Sequence, residues 1–207
     1  MRISTMYYDC YLPIPPIVKL GKTLYVTNKK DWRSWLAKNH DKEKEIWLIY
    51  YRKSSGKPRI SYNDALEEAL SYGWIDSIQK GIDEERFAQR FTPRKPKSLL
   101  SEMNKQRIRK LIKEGKMTTV GLKAISEIVN IAQFQEEKLN IAPDIIAALK
   151  EDKQAWKNFQ NLPEGYKRVR IGYLESRRRH GNEAFQRSLQ YFVNKTARNK
   201  RFGMIKK

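Results

Sequence analysis

An α+β fold is predicted from three features of this chain. Residues 45–52, Glu45-Ile46-Trp47-Leu48-Ile49-Tyr50-Tyr51-Arg52, are almost unbroken in hydrophobicity, β-branched and aromatic, as a strand covered on both faces requires. Segments 74–78 and 87–91 flank a polar, turn-like stretch and predict an antiparallel hairpin. From Ser101 onward the apolar period changes to 3.6 residues. The expected architecture is an α/β-like N-terminal portion with a small mixed sheet of at least three strands, followed by an all-helical C-terminal portion.

The elements follow in order. Pro13, Pro15 and Pro16 forbid helix and make residues 1–22 an extended arm. Residues 23–27 suit a short edge strand. Thr27 or Asn28 then caps a helix over 29–39, whose core anchors are Trp32, Trp35 and Leu36. Ser61 and Asp64 open the next helix, with Ala65, Leu66, Ala69 and Leu70 as its buried stripe and Gly73 as a left-handed C-terminal cap. In the hairpin, Phe87, Gln89 and Phe91 share one face, and Ala88 and Arg90 the other. Trp47, Ile49, Leu66, Leu70 and Phe91 are the expected core of this half.

Ile108, Leu111 and Ile112 make a helical stripe closed by Gly115, and Thr118 or Thr119 starts another helix with Val120, Leu122, Ile125, Ile128 and Val129 apolar. Residues 131–142 read as a linker. Ala142-Pro143-Asp144 and Glu151-Asp152 open two short helices, the second burying Trp156 and Phe159. Tyr166, Val169, Ile171 and Leu174 predict a further helix, which Gly172 weakens by about 1 kcal/mol. Phe185, Leu189, Phe192 and Val193 face inward on the last, near 181–198. The expected organisation is an arm (1–22), a core (23–130) and a basic helical region (131–207).

The 207 residues carry 43 Lys and Arg against 23 Asp and Glu, a net charge of +20. Such an excess points to an anionic ligand or a nucleic-acid backbone as partner, with a merely solvated basic surface as the plain alternative. Fifteen bases and five acids fall in residues 151–207, a net of +10. Cys10 is the only cysteine, which excludes an internal disulfide and a Cys-rich metal site, and His40 and His180 lack metal-ligand spacing. No cofactor is expected. The N-terminal residues lack the apolar run of a secretory signal, and no window reaches the roughly 18 apolar residues of a membrane span, so the expected setting is cytoplasmic, without membrane insertion.

Three constellations could carry function. Trp74 and Asp76 share a strand face, Arg90 on the paired strand is within expected reach of Asp76, and Arg94 lies just past the strand end. This group reads as an ion pair holding the hairpin register, as a ligand site, or as acid–base machinery. Arg94, Lys95, Lys97 and Ser98 precede the helix start near Ser101, where free N–H groups favour an anion, and Asn104 follows on that helix. No Gly-rich phosphate loop accompanies them. Arg177, Arg178 and Arg179, with Lys200 and Arg201, form basic clusters suited to phosphate contacts without sequence preference. Tyr166, Tyr173 and Tyr191 are interspersed, and their helical spacing reads more simply as core.

Several stretches together resemble the bacteriocin-protection, YdeI/OmpD-associated family. They are Trp35-Leu36 with Asn39-His40, Trp47-Leu48, Ser61-Tyr62 with Ala65, and Ala69-Leu70-x-x-Gly73-Trp74-Ile75-Asp76. Arg90-Phe91-Thr92-Pro93-Arg94, Ser98, Ser101, Asn104, Leu111-Ile112 and Gly115-x-Met117-Thr118-x-x-Gly121 follow, and Phe159-x-x-Leu162 with the basic tail resembles the family's helical C-terminal part. The resemblance spans roughly residues 24–200. It implies protection against bacteriocin or envelope stress and attaches no reaction to the fold. Leu100 stands where the family usually places tryptophan. The combined expectation is a cytoplasmic, non-catalytic stress-protection protein that binds an anionic partner. The alternatives are an enzyme acting on a small anionic substrate through Asp76, Arg90 and Arg94, and a sequence-independent nucleic-acid-binding protein.

Overall fold

The computed structural model describes residues 19–96, 98–128, 130–131, 134 and 138–203, so most of the expected arm, Lys97 and Val129 lie outside the described residues. The chain divides into two compact units. One comprises the residues up to Ala69 with Trp74–Pro93, and the other Leu70–Gly73 with everything from Arg94 onward.

The first unit is built on a four-stranded mixed sheet in the order β1-β2-β4-β3. Strand β1 (Thr23–Leu24) runs parallel to β2 (Ile46–Tyr51), while β4 (Arg86–Pro93) is antiparallel both to β2 and to β3 (Trp74–Gly81). Helix α1 (Lys29–Asn39) starts where the Asn28 side chain accepts the Asp31 N–H at 2.9 Å. Its Trp32 and Leu36 are fully buried. The Trp32 ring stacks on Trp35 (5.2 Å) and meets Phe91 of β4 (5.5 Å), and Trp35 stands edge-on to Trp74 (5.9 Å).

The polar handles of these rings are also used. Trp32 Nε1 donates to Ala65 O of α2 (Tyr62–Ser71) at 2.9 Å, and Trp74 Nε1 to His40 O at 3.2 Å. Glu68 on α2, 3% exposed, is satisfied by Arg33 (2.6 Å) and Lys29 (3.4 Å) of α1. Of the residues expected in this core, Trp47, Leu66 and Phe91 are buried in the first unit, and Leu70, also buried, belongs to the second. Ile49 departs from the expectation and is only half-buried. It pairs with Ala88, whereas Ile46 pairs with Phe91. Alternation therefore puts Ile49 on the face opposite the one packed under α1. Trp35 is likewise half-buried.

In the second unit, α3 (Glu102–Lys113) and α4 (Thr119–Ser126) precede four helices, α5 (Pro143–Glu151), α6 (Lys153–Gln160), α7 (Glu164–Arg178) and α8 (Asn182–Ala197). The Ser71 carbonyl that ends α2 accepts both the N–H (3.1 Å) and the hydroxyl (2.6 Å) of Thr118. That hydroxyl in turn accepts from Gly121 N at 3.1 Å, so one threonine caps two helix ends. Glycine is needed twice here. Gly73 has φ +74°, and a Cβ on Gly121 would lie 2.1 Å from Ser71 O. On α4, Val120, one of the apolar positions, is 42% exposed.

The last four helices close on Ile145, Leu149, Phe159, Tyr166, Leu174, Phe185 and Phe192. Asp152 caps α6 by accepting from Gln154 N and Ala155 N, both at 2.9 Å. Asn158 donates to the terminal carbonyls Thr196 O and Ala197 O of α8. Trp156 stacks on Phe159 but stays half-buried. Gly172 weakens α7 intrinsically, yet a Cβ there would meet Glu102 Cγ at 2.3 Å, so the residue lets α3 approach.

Gly121→Ala should therefore lower stability by about 1–3 kcal/mol through forced overpacking against backbone. Gly81→Ala, whose Cβ would meet nothing within 4 Å, should stay within about 0.5 kcal/mol of the parent in the same denaturant melts. Equal effects of the two substitutions would contradict the helix contact.

Candidate anion-binding site

The strand constellation is partnered differently from the sequence expectation. Trp74 is buried, 1% exposed, and serves the aromatic core. Asp76 accepts a hydrogen bond from the Tyr62 hydroxyl at 2.7 Å. Arg90 pairs with Glu45, its Nε donating to Oε2 at 2.8 Å and its Nη2 to the same oxygen. The expected Asp76–Arg90 pair is thus replaced, and the register explains why. Asp76 lies opposite Phe91, the β3–β4 pairing is bulged between Asp76 and Gln79, and Arg90 instead faces Trp47, two residues from Glu45. Trp47 Nε1 also donates to Glu45 (3.1 Å). Hydrogen bonds from Arg90 and then Trp47 hold the Glu45 carboxyl below its ordinary range.

The loop candidates are engaged locally. Arg94 Nη2 donates to Ser98 Oγ (3.1 Å) and to Leu99 O (3.0 Å), folding the side chain over its own loop. Ser101 caps α3 by accepting from Asn104 N (3.3 Å), and Asn104 Oδ1 accepts from Arg107. Among the basic-tail candidates, Arg178 donates to both carboxylate oxygens of Asp144 (2.6 and 2.7 Å) and to Glu175 (2.9 Å), and it lies 3.7 Å above the Phe185 ring. It ties α7 to α5, and its bonds hold the Asp144 carboxyl below the usual range. Arg179, Lys200 and Arg201 are exposed.

Arg177 belongs to a different arrangement, which sequence reading missed in large part. Arg170 and Arg177 stand seven residues apart on α7, on one face. Both line a cavity of about 450 Å³ with Tyr173 between them and with Arg187 and Tyr191 of α8 opposite. Phe202 closes the end, held by its N–H donating to the Tyr166 hydroxyl at 3.0 Å.

Arg170 is 8% exposed and lies over the rings of Phe202 (4.8 Å), Tyr166 (5.5 Å) and Tyr173 (5.9 Å). Its Nε and that of Arg177 are buried without a hydrogen-bond partner, and neither guanidinium pairs with a carboxylate among the described residues. No acidic residue lines the cavity among the described residues. Of the three interspersed tyrosines, Tyr166 is buried as expected, but Tyr173 and Tyr191 are 48% and 50% exposed on the cavity walls. A second cavity of about 480 Å³ shares Arg170 and Tyr173, and Leu100 is in its lining.

The partner exchange on the sheet is directly measurable. In a double-mutant cycle, Glu45→Gln and Arg90→Gln should couple by about 0.2–1 kcal/mol, a modest value because both side chains are one-third exposed. Asp76→Asn and Arg90→Gln should add to within about 0.5 kcal/mol. Because the folded-state pKa of Glu45 is depressed, the coupling is present above the unfolded value of about 4.3 and fades as pH falls through the folded one. Strong Asp76–Arg90 coupling would contradict this register.

Two family models match separate stretches of the chain. Residues 24–124 match a domain of unknown function (DUF8412), and the motif residues from Trp35 to Gly121 fall inside that match. No curated protein and no solved structure matches the chain. Residues 138–199, which contain α5–α8 with Arg170 and Arg177, match the model described as bacteriocin-protection, YdeI or OmpD-associated. Over those residues the chain is similar to the bacteriocin-protection, YdeI or OmpD-associated family.

Proposed function

We propose that this chain is a cytoplasmic, non-catalytic binding protein that captures an anionic group between Arg170 and Arg177, in the service of the protective role in the family description. The observation that carries this reading is Arg170, a nine-tenths-buried guanidinium with an unsatisfied Nε, on a wall with no carboxylate among the described residues. A desolvated charge without a counter-charge is unfavourable, and a planar guanidinium matches phosphate or carboxylate oxygens in pairs. The non-catalytic part rests on Asp76 and Arg90, whose polar atoms serve Tyr62 and Glu45.

The reading is tested by thermal unfolding with inorganic phosphate at low ionic strength. At tenfold excess over its Kd, phosphate should stabilise by about 1.4 kcal/mol and raise Tm by roughly 3–6 °C. Arg177→Gln, at a half-buried position, should fold and lose most of that rise. The same rise in Arg177→Gln, or none in the parent protein, would overturn the reading.

A further inference from the structure

We infer that the anion this cavity takes is the phosphate of a phosphomonoester that also bears an aromatic ring, so that the site reads ring and phosphate together rather than a bare anion. The inference rests on the anion-binding reading above and adds to it the identity of what bears the charge. The arginines supply only one part of the lining. Tyr173 and Tyr191, each about half exposed, turn their rings to the cavity, and Tyr191 stands edge-on to Phe202 at 4.9 Å. Phe192, fully buried, forms the floor beside Phe202 (6.4 Å).

Large aromatic side chains left half in water beside a cationic cleft offer π-faces on which a planar ring gains stacking and desolvation together. A saturated carrier of the same size gains the desolvation alone. The volume, about 450 Å³, lies within the ordinary range for small-molecule sites and leaves room for a ring beyond the phosphate. Arg187, opposite the α7 pair, adds a third positive group at the exposed rim, where its Glu183 contact is long (3.5 Å) and solvated. Ser188, also in the lining, has its hydroxyl proton engaged with Ala184 O at 2.8 Å. Aromatic walls, a cationic end and a lining without acid among the described residues select a planar ring and a single phosphate on one ligand. A mononucleotide and the phosphorylated end of a nucleic-acid strand share that chemistry.

Calorimetric titration of the full chain with inorganic phosphate, phenyl phosphate, cyclohexyl phosphate, adenosine 5′-monophosphate and a 5′-phosphorylated oligonucleotide decides the matter. Phenyl phosphate should bind at least tenfold tighter than inorganic phosphate and clearly tighter than cyclohexyl phosphate. Tyr191→Ala, at an exposed position, should bring phenyl phosphate to within about threefold of inorganic phosphate in the same variant. Adenosine 5′-monophosphate binding tighter than the oligonucleotide assigns the free small molecule, and the reverse assigns the strand end; either, with the tighter of the two above inorganic phosphate, supports the ring-bearing phosphomonoester, and neither above it overturns that part. Inorganic phosphate binding as tightly as phenyl phosphate would overturn the aromatic part and leave anion binding standing, as would equality of the phenyl and cyclohexyl esters. Binding of none of the probes would remove both.

Discussion

Forty-three cationic side chains share this molecule with twenty-three carboxylates, and the placement of those few acids governs much of what its charged residues can do. Even complete one-to-one pairing would leave twenty cations over. Acids are used where a base must be brought near a core or a register must be held. Glu68 sits between Arg33 and Lys29 where α1 meets α2, Glu45 holds Arg90 beside Trp47, and Asp144 ties Arg178 across α5 and α7. Most other ion pairs are surface contacts that contribute little individually. Arg170 is the exception that matters, a guanidinium buried against three rings and paired with no carboxylate among the described residues. Cation–π contacts offset part of its lost hydration but leave Nε unsatisfied.

The elements were largely legible because each carries a local signal. The apolar run of β2, the Ser61 cap, the left-handed Gly73 and the stripe on α8 arise from period and capping chemistry, which operate within a few residues. Strand order was less accessible, since the parallel pairing of β1 with β2 depends on a long-range meeting across α1. The Asp76–Arg90 expectation failed at a β-bulge. A register read by counting along two strands is shifted there, and Arg90 finds its acid on β2 instead.

The cavity was harder to read for a different physical reason. Arginines seven apart on a basic helix look like a solvated face, and only the packing of α8 and the Phe202 segment over them turns Arg170 inward. The usable signal was the pattern Arg170-x-x-Tyr173-Leu174-x-x-Arg177 set against an apolar and aromatic stripe on the following helix. Tyr173 and Tyr191 obeyed helical spacing yet stayed in water, which separates a wall from a core. Arg178, the neighbour of Arg177, is drawn off by Asp144, so three consecutive arginines have three different environments.

The account turns on whether the buried guanidinium is a ligand group or only a packed one. Nitrogen-15 NMR of the arginine Nε–H resonances during phosphate titration observes that group itself. Anion capture predicts that the Arg170 and Arg177 signals shift together, saturably and with one Kd, while Arg178, already held by Asp144 and Glu175, stays in place. Unmoved Arg170 and Arg177 signals, with shifts confined to exposed residues such as Arg179 and Arg201, would contradict it.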